Sequence, residues 1–544
     1  MANEHDIPPL QVIQGGAAQS TTTGAIEALA ARQAEKAGDK PSASATMIDS
    51  ADSLTFFHSP DHVAFVSVLV REQRQVWRVR SSEFRLWLRH QYFDATGSAP
   101  PAQALEDAIG VLEARAEFDS PEQVTFIRVG ADGGEYYVDL ARKEGPSVVK
   151  VTADGWEIAP DAPINFERPK SALPLPLPAR GGSLSQLRPF VNVASAEMFV
   201  LLGAWLVAAL FGSFPVPVLI IQGPQGSAKS TLLRVLRMLV DPAKGILRGQ
   251  PRHEHDLAIA ASRSWLVTFD NLSTIPDWLS DAFCRIVTGG AFAARQLFTD
   301  GDEVIFEYRR PAILNGIEEL ATRSDLLDRA VVVTLPKIDD AGRRDEEEFW
   351  KSFEAAQPLI LGALFDLMAG VLKHLPSVEL QQKPRMADFA RIGTALEASQ
   401  GWAPGTFMPI YAGNRAIGNG IAIEASLIGP YIKAMAFQEG GWQGTPEHLL
   451  GCLDNLYDRA RAGRPPGASF GQFTHDPPRA PKPKAWPSNA QQLSAKLQRI
   501  QPNLAEEGVL VERGQTSGSQ SEKFIRLSLK ASTSVPPYSG SPAA

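Results

Sequence analysis

The alternation of apolar and polar positions is clearest between residues 196 and 336. Ala196 to Phe211 is apolar at nearly every position and reads as a buried helix. After a Gly/Ser/Pro turn, Val218 to Ile221 is long enough for a buried strand. Gly223, Pro224 and Gly226 break that run. Leu232, Leu233, Val235, Leu236 and Leu239 then recur at helical spacing. Three further apolar runs follow: Ser264 to Leu272, containing Asp270; Pro311 to Asn315; and Val331 to Leu335. Short apolar runs alternating with helical patterns predict an α/β core.

Upstream, His62 to Val70 reads as a strand. Ser82 to Tyr92 reads as a helix burying Phe84, Trp87, Leu88 and Tyr92, with Ser81 or Ser82 as N-cap. Pro101 to Ala116 is a second helix, with Ala104, Ala108, Val111 and Leu112 inward. Val124–Val129, Glu135–Leu140 and Val148–Val151 are short strands. Downstream, an acidic helix start at Asp345 to Glu348 leads into a helix reaching Leu372. Residues 384–438 look helical, with Phe389, Ile392, Leu396, Ile421, Ile423, Leu427 and Ile428 as core. Pro446–Tyr457 and Asn489–Ile500 are helices, and Val509–Arg513 with Phe524–Leu529 form a hairpin. These elements set the expected domains: a disordered tail over 1–48, an α+β domain over 49–180, an α/β core over 181–375, a helical extension over 376–440, a winged-helix-like α+β domain over 441–530, and a tail over 531–544. Ser171 to Gly182, SALPLPLPARGG, reads as an extended linker.

The stretch from Val216 to Leu233, VPVLIIQGPQGSAKSTLL, carries the clearest chemistry. A strand, a glycine loop and a helix in that order suit a phosphate-binding loop. Glycines let backbone N–H groups turn inward, and the helix N-terminus adds partial positive charge. The loop is Gly223, Pro224, Gln225, Gly226, Ser227 and Ala228, followed by Lys229, Ser230 and Thr231. Lys229 is placed for the β- and γ-phosphates of ATP, and Ser230 for Mg²⁺. Ala228 stands where the usual pattern has its second glycine, so the backbone there must suit alanine. Asp270 is placed to hold the Mg²⁺ shell with Ser230. Asn315 offers an amide to a γ-phosphate oxygen and to water.

Further on, Arg295 follows Gly289-Gly290, and two strand-like runs flank the polar turn Thr299 to Glu303, which suggests a hairpin. Arg323 and Arg329 sit in TRSDLLDRAVVVTLP. On the residues alone, Arg329 could equally pair with Asp325 or Asp328.

This succession resembles the ATPase core of superfamily 3 helicases, especially primase-associated helicases of phages and mobile elements. The resemblance covers Val216 to Pro336. It implies an AAA+-like P-loop NTPase fold assembled as a homo-oligomeric, hexamer-type ring, hydrolysing ATP with Mg²⁺ and acting on single-stranded or forked DNA. It further implies that Asn315 senses the γ-phosphate and that Arg329, or Arg323 as alternate, reaches the neighbouring subunit's ATP. The hairpin over about Arg295 to Tyr308 would point into the pore. Asn271 departs from relatives that carry an acid after the aspartate. Glu254 or Asp256, in PRHEHDL, could supply that carboxylate instead. The runner-up reading is a nucleotide-dependent DNA-binding initiator or regulatory switch with weak turnover. No primase motif reads in the first 190 residues, so a primase or initiator would be a separate chain.

Composition narrows this little. A formal charge of −8, from 53 basic and 61 acidic side chains, confines DNA contact to local patches. One patch is the Pro- and Gly-rich loop Arg459 to Lys484. The C-terminal helices and hairpin suit duplex DNA or a protein partner equally. Two distant cysteines, Cys284 and Cys452, exclude a disulfide framework and fit a cytoplasmic setting. The uncharged run Met198 to Ile221 could span a bilayer by length. Gly212, Ser213, Pro215 and Pro217 cut it, so no membrane span is expected.

Overall fold

A computed structural model describes residues 41–245, 247–295, 303–316, 320–321, 323–438, 441–461, 481–515 and 522–530. Most of the N-terminal tail, the hairpin turn, most of the basic loop after Arg461 and the C-terminal tail lie outside them. By contact the chain forms two units, Met1–Val68 with Trp77–Gln123, and Leu69–Val76 with Val124–Ala544.

In the first unit, helix α1 (Ala43–Ser50) begins inside the stretch expected to be disordered. Ser42 caps it by accepting from Ala45 N, and Met47 is fully buried. Strand β1 (Thr55–His58) pairs antiparallel with β2 (Ala64–Val70). β3 (Gln73–Arg78), whose residues up to Val76 belong to the second unit, completes a three-stranded sheet in the order β1-β2-β3. Helix α2 (Ser82–Thr96) is capped by Ser81 and ends on Gly97 in the left-handed region. Helix α3 (Ala102–Phe118) buries Leu105, Ala108, Ile109, Leu112 and Ala116. Its inward stripe is rotated from the expected one: the larger Leu105 and Ile109 take the core, and Val111 is left 51% exposed.

The second unit opens with β4 (Thr125–Phe126), paired with β9 (Asn165–Phe166). Between them, β5 (Val129–Asp132), β6 (Glu135–Asp139), β7 (Val148–Thr152) and β8 (Gly155–Ala159) form an antiparallel meander in chain order. Val138, Val149 and Trp156 of this meander share one core with Trp205, Leu219 and Phe365. The single domain expected over 49–180 is therefore divided: residues 124–180 fold with the parallel-sheet core, because their apolar faces are buried there. The Pro-rich stretch is no free linker either. Ala179 N donates to Pro358 O (2.8 Å) and Leu175 N to Leu140 O (2.9 Å).

Helix α4 (Ala196–Ala209) is buried from Leu201 through Ala209, as its unbroken apolar run predicts. It precedes β10 (Val218–Gln222), α5 (Lys229–Val240), α6 (Glu254–Ser262), β11 (Val267–Leu272) and α7 (Asp277–Thr288). A hairpin of β12 (Ala291–Arg295) and β13 (Glu303–Glu307) follows, with Arg295 in register with Glu303. Then come β14 (Ala312–Gly316), the short helix α8 (Ser324–Leu327) and β15 (Ala330–Thr334). The central sheet has the order β11-β14-β10-β15 and is parallel throughout. Alternate residues face opposite layers. Leu219, Ile221, Ile313, Val331 and Val333 join the large core. Val218, Ile220, Val267, Phe269, Leu314 and Val332 join a second core with α6 and α7. Burial on both faces is what the near-continuous apolar strands require.

Helix α9 (Glu346–His374) is N-capped by Asp345, whose carboxylate accepts from Glu347 N and Glu348 N. Among the described residues, Glu346–Ser377 is the one helix long and apolar enough to cross a membrane, and 61% of its apolar window is buried in the fold. Helices α10 (Ala387–Gln400) and α11 (Phe407–Ala425) pack on the same unit. A last module comprises α12 (Gly429–Ala436), β16 (Trp442–Gly444), α13 (Pro446–Arg461), α14 (Ala490–Glu506), β17 (Val509–Gln515) and β18 (Lys523–Leu529). Its sheet runs β16-β18-β17 over a core of its own. β16 was not anticipated, and α12 belongs to this module, so the module begins earlier than residue 441.

Candidate phosphate-loop site

β10 delivers the chain into the loop at Gly223. A Cβ there would lie 2.5 Å from Leu335 O, and φ is +148°, so the position requires glycine. Gly226 (φ +80°) turns the exposed tip. Ala228 takes the left-handed conformation, φ 64° and ψ 33°, immediately before α5. Alanine therefore holds a geometry normally given to glycine, at a cost of about 1–2 kcal/mol. The loop is braced from outside: Ile338 N donates to Gly226 O (3.2 Å). The Asn192 amide donates to Ser227 O (3.2 Å) and Pro336 O (2.7 Å). Sequence reasoning gave no sign of Asn192, which lies in a polar turn far upstream. The Ser227 hydroxyl is buried with no hydrogen-bond partner among the described residues.

Lys229 folds back over the loop and donates to Gly223 O (2.7 Å) and Pro224 O (2.9 Å). Ser230 Oγ donates to Asp270 Oδ1 (2.8 Å). The same carboxylate accepts from the Asn315 amide, whose oxygen accepts from Asn271 N (2.9 Å). The strand order explains this convergence. β14, with Asn315, lies between the loop strand β10 and β11, so its terminal side chain bridges the two.

The pairing register of β11 shifts between Phe269 and Leu272. Asn271 sits at φ 55° in that irregularity. Asparagine, like aspartate, tolerates this region better than most residues, whereas a glutamate there would be strained. The shift leaves Asp270 half-buried beside Ser230 and Asn271 exposed.

The alternate carboxylates are committed elsewhere. Asp256 accepts from Arg252 N (3.0 Å) and His253 N (3.2 Å) in a capping box, and these backbone bonds hold its carboxyl below the usual range. Glu254 pairs with Arg285 at 2.7 Å. Both basic candidates are engaged too. Arg329 donates to Asp325 O (2.8 Å), and its backbone carbonyl accepts from Val218 N. That puts it at the opening of β10, about 16 Å along the strand from Gly223 at ~3.3 Å per residue. Arg323 lies among Asp281 (2.8 Å), Asp325 (2.9 Å) and Asp277 (3.6 Å). The hydrogen bond to Asp325 is the main cause of its raised pKa. Neither arginine therefore reaches this chain's own loop. Of Arg295 only the backbone is described.

The molecule is thus a mixed α/β protein built on a parallel sheet, with a glycine loop, a lysine and a Ser–Asp–Asn cluster at one end of that sheet. Residues 184–407 match the family described as actinomycete integrative conjugative element replication protein, and residues 428–539 match the RepA C-terminal domain. Together the two matches take in more than half of the chain, and the chain belongs to this replication-protein family. No curated protein matches the chain significantly. Among solved structures it is similar to the apo NrS-1 C-terminal region, at 11% identity and a TM-score of 0.40, covering 89% of this chain and 98% of that one. It is also similar to SCCmec type IV Cch, described as an active helicase, at 11% identity and 0.42, covering 87% and 92%. Likenesses at these scores carry no weight for activity.

Proposed function

We propose that this replication protein is an ATP-driven DNA motor of the superfamily 3, AAA+-like type, working as a ring on single-stranded or forked DNA. The observation that carries the reading is the meeting of Ser230, Asp270 and Asn315 at the mouth of the Gly223–Ala228 loop. The loop amides and the α5 N-terminus receive the phosphates. Lys229 exchanges its two loop carbonyls for phosphate oxygens. Ser230 and Asp270 offer hard oxygen donors, a set that fits Mg²⁺. Bound there, the ion would neutralise charge developing on the β- and γ-phosphates. Asn315, fixed by Asn271 N, orients the γ-phosphate and the attacking water. A second copy's Arg329 completes the pocket from outside, which accords with its distance from its own loop. The hairpin over 291–307 contacts the DNA strand, and the C-terminal helices and three-stranded sheet act as a winged-helix-like module.

The second reading is a DNA-bound nucleotide switch with weak turnover. It is favoured by Asn271, which can orient water but cannot accept its proton, and by the prior engagement of Glu254 and Asp256. One experiment separates the two: ATP hydrolysis with and without single-stranded DNA, and strand displacement on a fork, for the parent chain and Lys229→Ala. The motor reading expects DNA-stimulated turnover and unwinding, with turnover reduced by about 10²–10³ in the variant. ATP binding without turnover selects the switch. Equal ATP affinity in parent and Lys229→Ala overturns both.

A further inference from the structure

The first unit holds a cluster that plays no part in the site above. β1 ends at His58, and a tight turn leads to His62. In that turn Ser59 N donates to Val63 O (3.0 Å), and His62 N to Ser59 O (2.9 Å). Ser59 Oγ is buried and accepts from Val63 N (3.2 Å). His62 is held at φ 56°. Two more main-chain bonds fix the turn against the segment after α3: His58 N to Pro121 O (3.2 Å) and Gln123 N to His58 O (2.8 Å). Glu117 lies in the last turn of α3. The scaffold thus brings a ring nitrogen of each histidine and a Glu117 oxygen within 4.8 Å of one another.

The second shell suits a metal as well. His58 Nδ1 is 3.2 Å from Ser59 O. An imidazole that donates Nδ1–H to a carbonyl presents Nε2 as a lone-pair donor, the usual arrangement of a ligating histidine. The two imidazoles are stacked, with centroids 6.0 Å apart. His62 Nδ1 lies 2.5 Å from Glu117 Oε1, and Glu117 is the more enclosed of that pair.

We propose that His58, His62 and Glu117 form a binding site for Zn²⁺ or a similar late divalent cation, tying the β1–β2 turn to the end of α3. Two imidazole nitrogens and one carboxylate favour zinc over Mg²⁺ or Ca²⁺, which prefer all-oxygen sets. Three protein ligands leave one tetrahedral position for water.

The test is a calorimetric titration of the chelator-stripped full chain with Zn²⁺, with Mg²⁺ in excess to occupy Ser230 and Asp270. A parallel Co²⁺ titration is followed by visible absorption. One equivalent of Zn²⁺ is expected. His58→Ala, Glu117→Gln and His62→Asn are each expected to weaken binding by at least about tenfold. His62→Asn is the decisive variant, because asparagine tolerates the left-handed backbone and the side chain is 74% exposed, so the fold is spared. His90, paired with Asp94 at 2.8 Å on an exposed helix face, supplies the control: His90→Ala leaves binding unchanged. The proposal is overturned if no stoichiometric Zn²⁺ binds, or if His62→Asn binds as the parent does. Either result would leave His62 and Glu117 as a surface hydrogen-bonded pair.

Discussion

Replacing Asp241 by alanine tests whether residues 124–180 fold as part of the parallel-sheet core. Asp241 closes α5, and its side chain is only 5% exposed. Oδ1 accepts from Arg128 Nε at 3.0 Å; Oδ2 accepts from Trp265 N (2.9 Å) and Leu266 N (3.1 Å). Arg237 Nη2 is 3.9 Å away. Arg128 also donates to Asp139 O, Leu173 O and Pro242 O, which join the meander and the Pro-rich stretch to α5. Burial pushes the Arg237 guanidinium down to about 10, with Asp241 opposing and Arg248 and Arg128 adding to the fall. Alanine would leave two buried cations without their counter-charge and two buried amides without an acceptor. Breaking one partner of a buried pair costs about 3–5 kcal/mol. Each orphaned amide costs a further ~1–3 kcal/mol, though these terms overlap. A loss of about 4 kcal/mol is therefore expected, a large share of the ~5–15 kcal/mol of a typical domain.

The assay is urea unfolding followed by tryptophan fluorescence, to which Trp265 beside the site contributes as one of ten tryptophans. Asp241→Asn should lose less, since it keeps one acceptor. Arg128→Met combined with Asp241→Leu should recover part of the loss, because a buried ion pair is often replaceable by apolar side chains. A loss below about 1 kcal/mol for Asp241→Ala, or a meander that melts separately from the core in the parent, would refute the reasoning.

Three further outcomes are expected. Ala228→Gly should stabilise by about 0.5–1 kcal/mol, the relief of ~1–2 kcal/mol of left-handed strain set against glycine's larger unfolded-state entropy; a lower thermal midpoint would mean that the loop is not left-handed there. Gly362→Ala should destabilise by about 1–3 kcal/mol, because its Cβ would sit 1.8 Å from Ala179 O; denaturant midpoints measure it. Burial raises the Cys284 thiol to about 11, with Arg329 opposing, so it stays protonated near neutral pH, and its thiolate forms only as pH approaches that value. Thiol titration of the native chain should therefore label the half-buried Cys452 first and Cys284 only slowly until the chain is denatured.

The central sheet was readable because each strand is an apolar run closed by punctuation: Gly223 after β10, Pro311 before β14, Pro336 after β15. The lysine, serine, aspartate and asparagine stood out by type and position. Their meeting was not readable. Ser230, Asp270 and Asn315 are joined only by the strand order and by the irregularity at Asn271, neither of which leaves a local signal. Ala228 showed its identity but not its φ. β8, GWEIA, was missed because it is short and only Trp156 is buried. α1 was missed because a single methionine anchors it. The stripe on α3 was misplaced because Val111 and Ile109 are equally apolar, and only packing tells them apart. The Pro-rich segment misled most: proline and glycine speak of a tether, while its main-chain bonds to Leu140, Pro242 and Pro358 are invisible in composition.

That segment decides how the molecule can be dissected. A fragment opening at Gly181 would retain every side chain that surrounds the phosphate loop and look complete on paper. It would also strip Tyr136 from Phe211 and Trp156 from Phe365, ring pairs with centroids 4.9 and 5.8 Å apart. Greasy rings laid open in this way invite self-association. Silence from such a fragment in a turnover assay would report clumping rather than chemistry, and a sound trimmed version keeps Leu69–Val76 as well as everything from Val124 onward.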